Sequence, residues 1–117
     1  MRLTRLLLIL FALTACKNER ASSATGDPVR GRQLIAKYHC TTCHVVPGVD
    51  GPRGMLGPEL GGFASRSTIA GSVPNTSENV QRWLQNPQAM TPQSSMPNLG
   101  ITPHDATDLT AYLESLR

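Results

Sequence analysis

The sequence AKYHCTTCHVVPG, residues 36–48, contains two cysteines three positions apart and a histidine directly after the second. Cys40, Cys43 and His44 could form a redox dithiol, part of a zinc site or an attachment point for covalent haem. Each of these sites would give the protein a different function. The rest of the chain has to discriminate between them.

Length and composition favour one small domain. With 117 residues, some of them in an expected leader, the protein can bury only a thin apolar core of its own. Five residues are aromatic, namely two Phe, two Tyr and one Trp, so a bound cofactor could supply much of the missing apolar burial. The formal net charge of +3 is not arranged as a basic stripe interleaved with aromatic residues, which argues against nucleic-acid binding.

The N-terminus has the pattern of an exported protein. Residues 1–15, MRLTRLLLILFALTA, combine a short basic start with an apolar run, as in a secretory signal peptide. That run is far shorter than the roughly 20 apolar residues of a membrane-spanning helix. The adjoining LTAC, ending at Cys16, resembles the lipobox of bacterial lipoproteins, which implies a lipid anchor on Cys16. An ordinary signal peptide with a chance cysteine is the alternative.

The next residues predict a tether and then a folded domain. Residues 16–26 are a lipidated N-terminus and flexible linker, because KNERASSATG is small and polar. Residues 27–117 form the domain. No alternation typical of β-strands and no internal repeat is present, so the domain is predicted to be all-α.

Three helices are predicted in this domain. Asp27 is a suitable N-cap for the first helix, which leads directly into the cysteines. Asn75 and Glu78 resemble a capping box at the start of the second helix. Thr102 is the predicted cap of the last helix, which has one apolar stripe. A further short helical turn is weakly indicated at SRSTIAG, residues 65–71.

Two long segments between the helices are rich in Gly and Pro. They are VVPGVDGPRGMLGPELGGF, residues 45–63, and NPQAMTPQSSMPNLGI, residues 86–101. Loops longer than about 12 to 15 residues are uncommon in compact domains unless they carry function. The two segments are therefore expected to wrap a group that is not protein.

This context favours haem attachment at CTTCH. Cys-x-x-Cys-His is the signature of c-type haem, with two thioether bonds and a histidine ligand. A redox dithiol would need a βαβ context, which is absent. A zinc site would need a second ligand pair, but His39 and His104 are the remaining histidines and the remaining cysteine is Cys16. Five residues are candidates for the second axial ligand: Met55, Met90, Met96, His39 and His104.

The order of motifs resembles a class I cytochrome c over residues 28–117. CTTCH is followed by GPEL, SSMPNLGIT and DLTAYLESL. More narrowly, residues 57–87 resemble the cytochrome c domain fused to subunit II of some haem-copper terminal oxidases. The resemblance implies a small all-α domain around one covalent haem c.

The resemblance also implies individual site residues. Cys40 and Cys43 would be the thioether anchors, His44 the proximal ligand and Met96 the distal ligand. Pro58 would accept a hydrogen bond from the second imidazole nitrogen through its carbonyl oxygen. Gly31 and Tyr112 match the positions at which the first and last helices cross. Apart from the resemblance, Trp83 could line the haem edge or reach a propionate, and a propionate contact of Arg66 is considered but not predicted. For Trp83 a plain core position is the alternative.

The function implied is electron transfer and not enzymatic catalysis, because two protein ligands leave no open site on the iron. The expected partners are membrane-bound respiratory complexes, either a terminal oxidase or a quinol-oxidising complex. The expected location is the periplasmic or extracytoplasmic face of a bacterial membrane. Two alternatives remain: a haem enzyme or gas sensor with a labile distal methionine, and a lipoprotein without haem whose cysteines form a disulfide.

Overall fold

The computed structural model of the protein describes residues 25–117. The predicted signal peptide, the lipidation candidate Cys16 and nearly all of the linker lie outside these residues. Four helices and one two-stranded ladder occur in the order α1 (Pro28–Lys37), β1 (Thr68–Ile69), β2 (Val73–Pro74), α2 (Ser77–Gln85), α3 (Pro87–Met90) and α4 (Pro103–Leu113). Single 3-10 turns cover Cys40–Thr42 and Phe63–Ser65. The predicted all-α class is confirmed, with very little sheet.

Side-chain caps fix where the main helices begin. The carboxylate of Asp27 caps α1 and the hydroxyl of Thr102 caps α4, as the sequence predicts. The predicted capping box at Asn75 is wrong by one residue, because Thr76 accepts from the backbone N–H of Asn79 at 3.2 Å. The side chain of Asn75 instead donates to two backbone carbonyls around the preceding 3-10 turn.

The segment before α2 is not a helical turn. Thr68 pairs with Pro74 and Ile69 with Val73 in a short antiparallel ladder. Ala70, in the connecting turn, has a left-handed φ of 49°. The prediction of a helical turn here is wrong, because two paired residues per strand are too few to produce an alternating pattern in the sequence.

Helices α1 and α4 cross in contact at Gly31. A Cβ atom at this position would overlap the backbone carbonyl of Asp108 and lie 2.8 Å from Cβ of Tyr112. The predicted close approach of Gly31 and Tyr112 is therefore confirmed. The phenol of Tyr112 donates to the carbonyl oxygen of Pro47, so α4 is also fastened to the segment that follows the cysteines.

Two buried carboxylates hold this crossing together. Asp105 and Asp108 are each 4% exposed, and both bind the guanidinium of Arg30 on α1. The phenol of Tyr38 also donates to Asp105 at 2.6 Å. The hydrogen bonds from Tyr38 and Arg30 lower the pKa of Asp105 to about 2, so this carboxylate is ionised at neutral pH. Losing Arg30 would leave the buried carboxylate of Asp108 without its ion-pair partner, so the network fixes α1 against α4.

The hydrophobic core is small and lies between α1, α2 and α4. Its buried members are Leu34, Ile35, Val46, Phe63, Ile69, Val80, Leu84, Ile101, Ala106, Leu109, Tyr112, Leu113 and Leu116. Cys40, Trp83 and Met96 pack against its margin and are only partly buried. Across residues 25–117, none of the helices combines the length and the apolar character needed to cross a bilayer.

Candidate functional site

The CTTCH segment forms a tight turn directly after α1. His39 has a left-handed φ of 55°, which reverses the chain before the 3-10 turn begins. The carbonyl oxygen of Cys40 then accepts from the backbone N–H groups of Cys43 and His44, at 3.1 and 2.9 Å. The two cysteines and the histidine therefore belong to one hydrogen-bonded turn. The side chain of His39 is exposed.

The long segment 45–63 runs beside this turn and is bonded to it. Backbone N–H groups of Gly54 and Gly57 donate to the carbonyl oxygens of Thr41 and Cys43 in the turn, at 3.1 and 2.8 Å, and that of Leu60 donates to Val45, directly after the turn, at 2.9 Å. The three donors are regularly spaced, so the two stretches of chain stay side by side. At Gly54 a Cβ atom would lie 2.6 Å from the backbone nitrogen of Cys43, which explains the absence of a side chain there.

The imidazole of His44 is oriented by this neighbouring segment. Its Nδ1 lies 2.7 Å from the carbonyl oxygen of Pro58. Because a carbonyl oxygen only accepts, Nδ1 carries the proton, and Nε2 is the ring nitrogen with a lone pair for a metal. A Cβ atom at Gly57 would lie 2.6 Å from Nδ1 and 2.8 Å from Nε2. Gly57 therefore provides the room for the ring, a role that the sequence analysis did not assign.

The thiol of Cys40 does not have the properties of a redox-active cysteine. Cys40 and Cys43 are both partly buried and free, with no disulfide between them. Burial raises the pKa of Cys40 to about 11, whereas a redox-active cysteine needs a low pKa to form its thiolate. Nowhere in residues 25–117 are three or more His, Cys, Asp or Glu side chains grouped as a metal site, so the zinc interpretation has no support.

Met96 is held in place through its backbone. Its N–H donates to Oγ of Ser94 at 3.1 Å, and its carbonyl oxygen accepts from Nε2 of Gln88 at 2.7 Å. The side chain is partly buried against the core. Met55, in contrast, is 92% exposed, and Met90 ends the short helix α3. No pattern in the sequence indicates the role of Gln88, since it depends on a loop folding back onto α3.

Two residues considered for a propionate contact have different surroundings. Trp83 on α2 is partly buried against the core. Arg66 donates to the carbonyl oxygens of Glu59 and Gly61, and its guanidinium lies 5.8 Å from the ring centre of Phe63. These hydrogen bonds link Arg66 to the backbone of the segment that contains Pro58.

The described residues fit a covalent haem. Cys40 and Cys43 provide two free thiols on one turn, and His44 provides an imidazole whose Nε2 is available. Large apolar side chains are exposed in the two irregular segments: Met55 is 92% exposed, Leu56 85% and Leu99 37%. An apolar prosthetic group would reduce this exposure.

Comparison with protein families matches residues 28–117 to the family described as Cytochrome c. The chain belongs to the cytochrome c family. This membership implies covalently bound haem c, and the mostly helical fold agrees with a small class I cytochrome c.

Three relatives of this cytochrome are each named cytochrome c oxidase subunit 2. The protein from Alkalihalophilus pseudofirmus is 34% identical over 89 residues, which cover 75% of this chain and 25% of the relative. The protein from Bacillus sp. PS3 is 31% identical over 96 residues, covering 78% and 27%. The Bacillus subtilis protein is 26% identical over 105 residues, covering 86% and 30%. The resemblance to the cytochrome domain of oxidase subunit II is thus confirmed, although this cytochrome spans less than a third of each relative.

Replacing Gly57 by alanine is expected to displace the imidazole of His44. The added methyl would overlap the ring, at an overpacking cost of about 1 to 3 kcal/mol. For a domain of this size, that cost lowers the melting temperature by at least about 4 °C. Thermal unfolding of the haem-loaded protein, together with its visible spectrum, measures both effects.

Gly61→Ala is the matched control, because the nearest atoms outside its chain neighbours would lie 3.3 and 3.5 Å from the added methyl. Equal melting temperatures and spectra for the two variants would show that Gly57 does not set the position of His44.

Proposed function

We propose that this cytochrome is a membrane-anchored carrier of single electrons, with one haem c, in a bacterial respiratory chain. The observation that carries the proposal is the orientation of His44, whose Nδ1 is hydrogen-bonded to Pro58 so that Nε2 is free to bind iron. One CxxCH motif is present in the sequence, which supports a single haem.

The chain's residues have distinct roles in this function. Cys40 and Cys43 would bind haem c as thioethers, and the bound group supplies one-electron chemistry at its iron. His44 would be the proximal ligand. Its hydrogen bond to Pro58 fixes the ring and makes Nε2 a stronger electron-pair donor to the iron. Met96 would be the distal ligand through its thioether sulfur. Trp83, at the margin of the core, would border the haem.

Binding of the iron by both His44 and Met96 would support an electron carrier and argue against an enzyme. With His44 and Met96 both bound to it, the iron would have no open position for a substrate. A thioether ligand also favours ferrous iron and raises the reduction potential. A haem enzyme or gas sensor remains the second candidate, because a methionine ligand that dissociates would expose the iron. Binding of carbon monoxide to the reduced protein separates the two.

The names of the relatives support a terminal oxidase as partner, with a quinol-oxidising complex as the other candidate. Of the eleven basic and eight acidic side chains, seven of each lie within residues 25–117, so the polypeptide of the folded domain has no formal net charge before the haem propionates are counted. The location that fits such a partner is the extracytoplasmic or periplasmic face of the membrane.

A lipid on Cys16 would hold the cytochrome near its partner. The support is the LTAC sequence after a short apolar leader. We expect Cys16→Ser to move the haem-loaded protein from the membrane fraction to the soluble fraction, measured by its haem absorbance. A wild-type protein that is already fully soluble would contradict the anchor.

Replacing Met96 by alanine is expected to open one coordination site on the iron. The reduced wild-type protein should bind carbon monoxide poorly, whereas reduced Met96→Ala should bind it readily and have a lower reduction potential. Absorbance spectra with and without carbon monoxide, together with a redox titration, provide the measurement.

Met90→Ala is the matched control and should behave as the wild type does. Rapid carbon monoxide binding by the wild type would favour the enzyme or sensor. Unchanged ligation in Met96→Ala would show that another residue is the distal ligand.

A further inference from the structure

We propose that Gln88 is the residue that positions Met96 for iron binding. The inference rests on the proposed ligation of iron by Met96 and adds a positioning residue to that site. Gln88 would act through the backbone of residues 94–96, called the ligand segment here, and would not touch the haem iron itself.

The side-chain amide of Gln88 spans the ligand segment. Its Nε2 donates to the carbonyl oxygen of Ser94 at 3.1 Å and to that of Met96 at 2.7 Å. Both N–H groups of the amide therefore donate to backbone carbonyl oxygens two residues apart. The Ser94–Met96 stretch is therefore held in one conformation relative to α3.

Ser94 completes the arrangement from the other side of Met96. Its Oγ accepts from the backbone N–H of Met96 at 3.1 Å. The donor and the acceptor of the Met96 backbone are thus both bonded to side-chain groups. Residues 91–100 contain no helix or strand. These side-chain bonds therefore replace the regular backbone hydrogen bonds that would otherwise hold the segment in place.

Gln88 is a suitable anchor because α3 is itself fixed. Pro87, the first residue of α3, is less than 2% exposed. The side chain of Asn86 caps α3 by accepting from the N–H of Ala89 at 3.2 Å. Thr91 closes the helix with a backbone bond to the carbonyl oxygen of Pro87 at 2.9 Å. Gln88 therefore links the ligand segment to a helix that is packed into the core.

The strength of this positioning determines how often Met96 leaves the iron. A neutral thioether is a weak ligand compared with an imidazole, so its occupancy depends on how well the backbone presents it. Each hydrogen bond in the arrangement shifts such an equilibrium by a few-fold to about tenfold. Loss of both bonds from Gln88 should raise the fraction of open iron by about tenfold or more.

The test is the variant Gln88→Leu in the full-length, haem-loaded protein. Leucine keeps much of the side-chain bulk and removes both donors. The readouts are the rate of carbon monoxide binding to the reduced protein and the visible spectrum of the oxidised protein. We expect the rate to rise about tenfold or more. The oxidised spectrum should shift toward a form without the methionine ligand.

Gln85→Leu is the matched control. Within residues 25–117, Gln85 donates to the carbonyl oxygen of Gln81 in α2, at 3.1 Å, and has no bond to the ligand segment. It should keep the carbon monoxide binding rate of the wild type. Ser94→Ala removes the second bond to Met96 while keeping Gln88, and should raise the rate by a few-fold.

Met96→Ala, measured in parallel, separates this inference from the proposed function. If Met96→Ala opens the iron but Gln88→Leu binds carbon monoxide as the wild type does, the positioning role is wrong and the ligand assignment stands. If Met96→Ala leaves ligation unchanged, the ligand assignment and the positioning role are both wrong. Should Gln88→Leu fail to retain haem, Gln88→Met takes its place, because it keeps the unbranched shape of the side chain and also lacks both N–H donors: a raised rate would support the proposal and an unchanged rate would overturn it.

Discussion

The hydrogen bond between Nδ1 of His44 and the carbonyl oxygen of Pro58, 2.7 Å long, requires two stretches of irregular backbone to lie side by side. One stretch is the turn that contains both cysteines, and the other is the glycine-rich segment after it. Two backbone hydrogen bonds, from Gly54 and Gly57, join them, and Gly57 leaves space for the imidazole. The segment is therefore ordered by its contacts with the imidazole of His44 and with the turn, which explains how so long a loop persists in a small domain.

The rest of the fold supplies a rigid base for that contact. Helix α1 ends directly before the cysteines, and its position is fixed by the crossing with α4 at Gly31. The buried carboxylates of Asp105 and Asp108 tie Arg30 and Tyr38 across the same crossing. Helix α4 is also linked to the segment after the cysteines, through the phenol of Tyr112. A shift of either helix would thus be transmitted to the haem-binding turn.

Several features of the fold could be predicted from the sequence because they depend on local chemistry. The caps at Asp27 and Thr102 and the CTTCH signature are examples, since each is decided by residues within one or two turns. The start of α2 was predicted at Asn75 instead of Thr76, because both residues can cap and the choice depends on the contacts of Asn75 with a distant turn. The contributions of Gln88, Arg66 and Gly57 could not be predicted. Each involves a loop returning to a segment several residues away, which no periodicity reveals.

The central claim is that Cys40 and Cys43 hold haem covalently on the turn that also presents His44. The most direct test is the mass of the denatured chain, produced in a host that attaches haem, compared with that of the double variant Cys40→Ala, Cys43→Ala. We predict that the wild-type chain keeps the mass of one haem after denaturation and extraction, and that the double variant has lost it. A wild-type chain that folds and is free of haem after denaturation would contradict the claim.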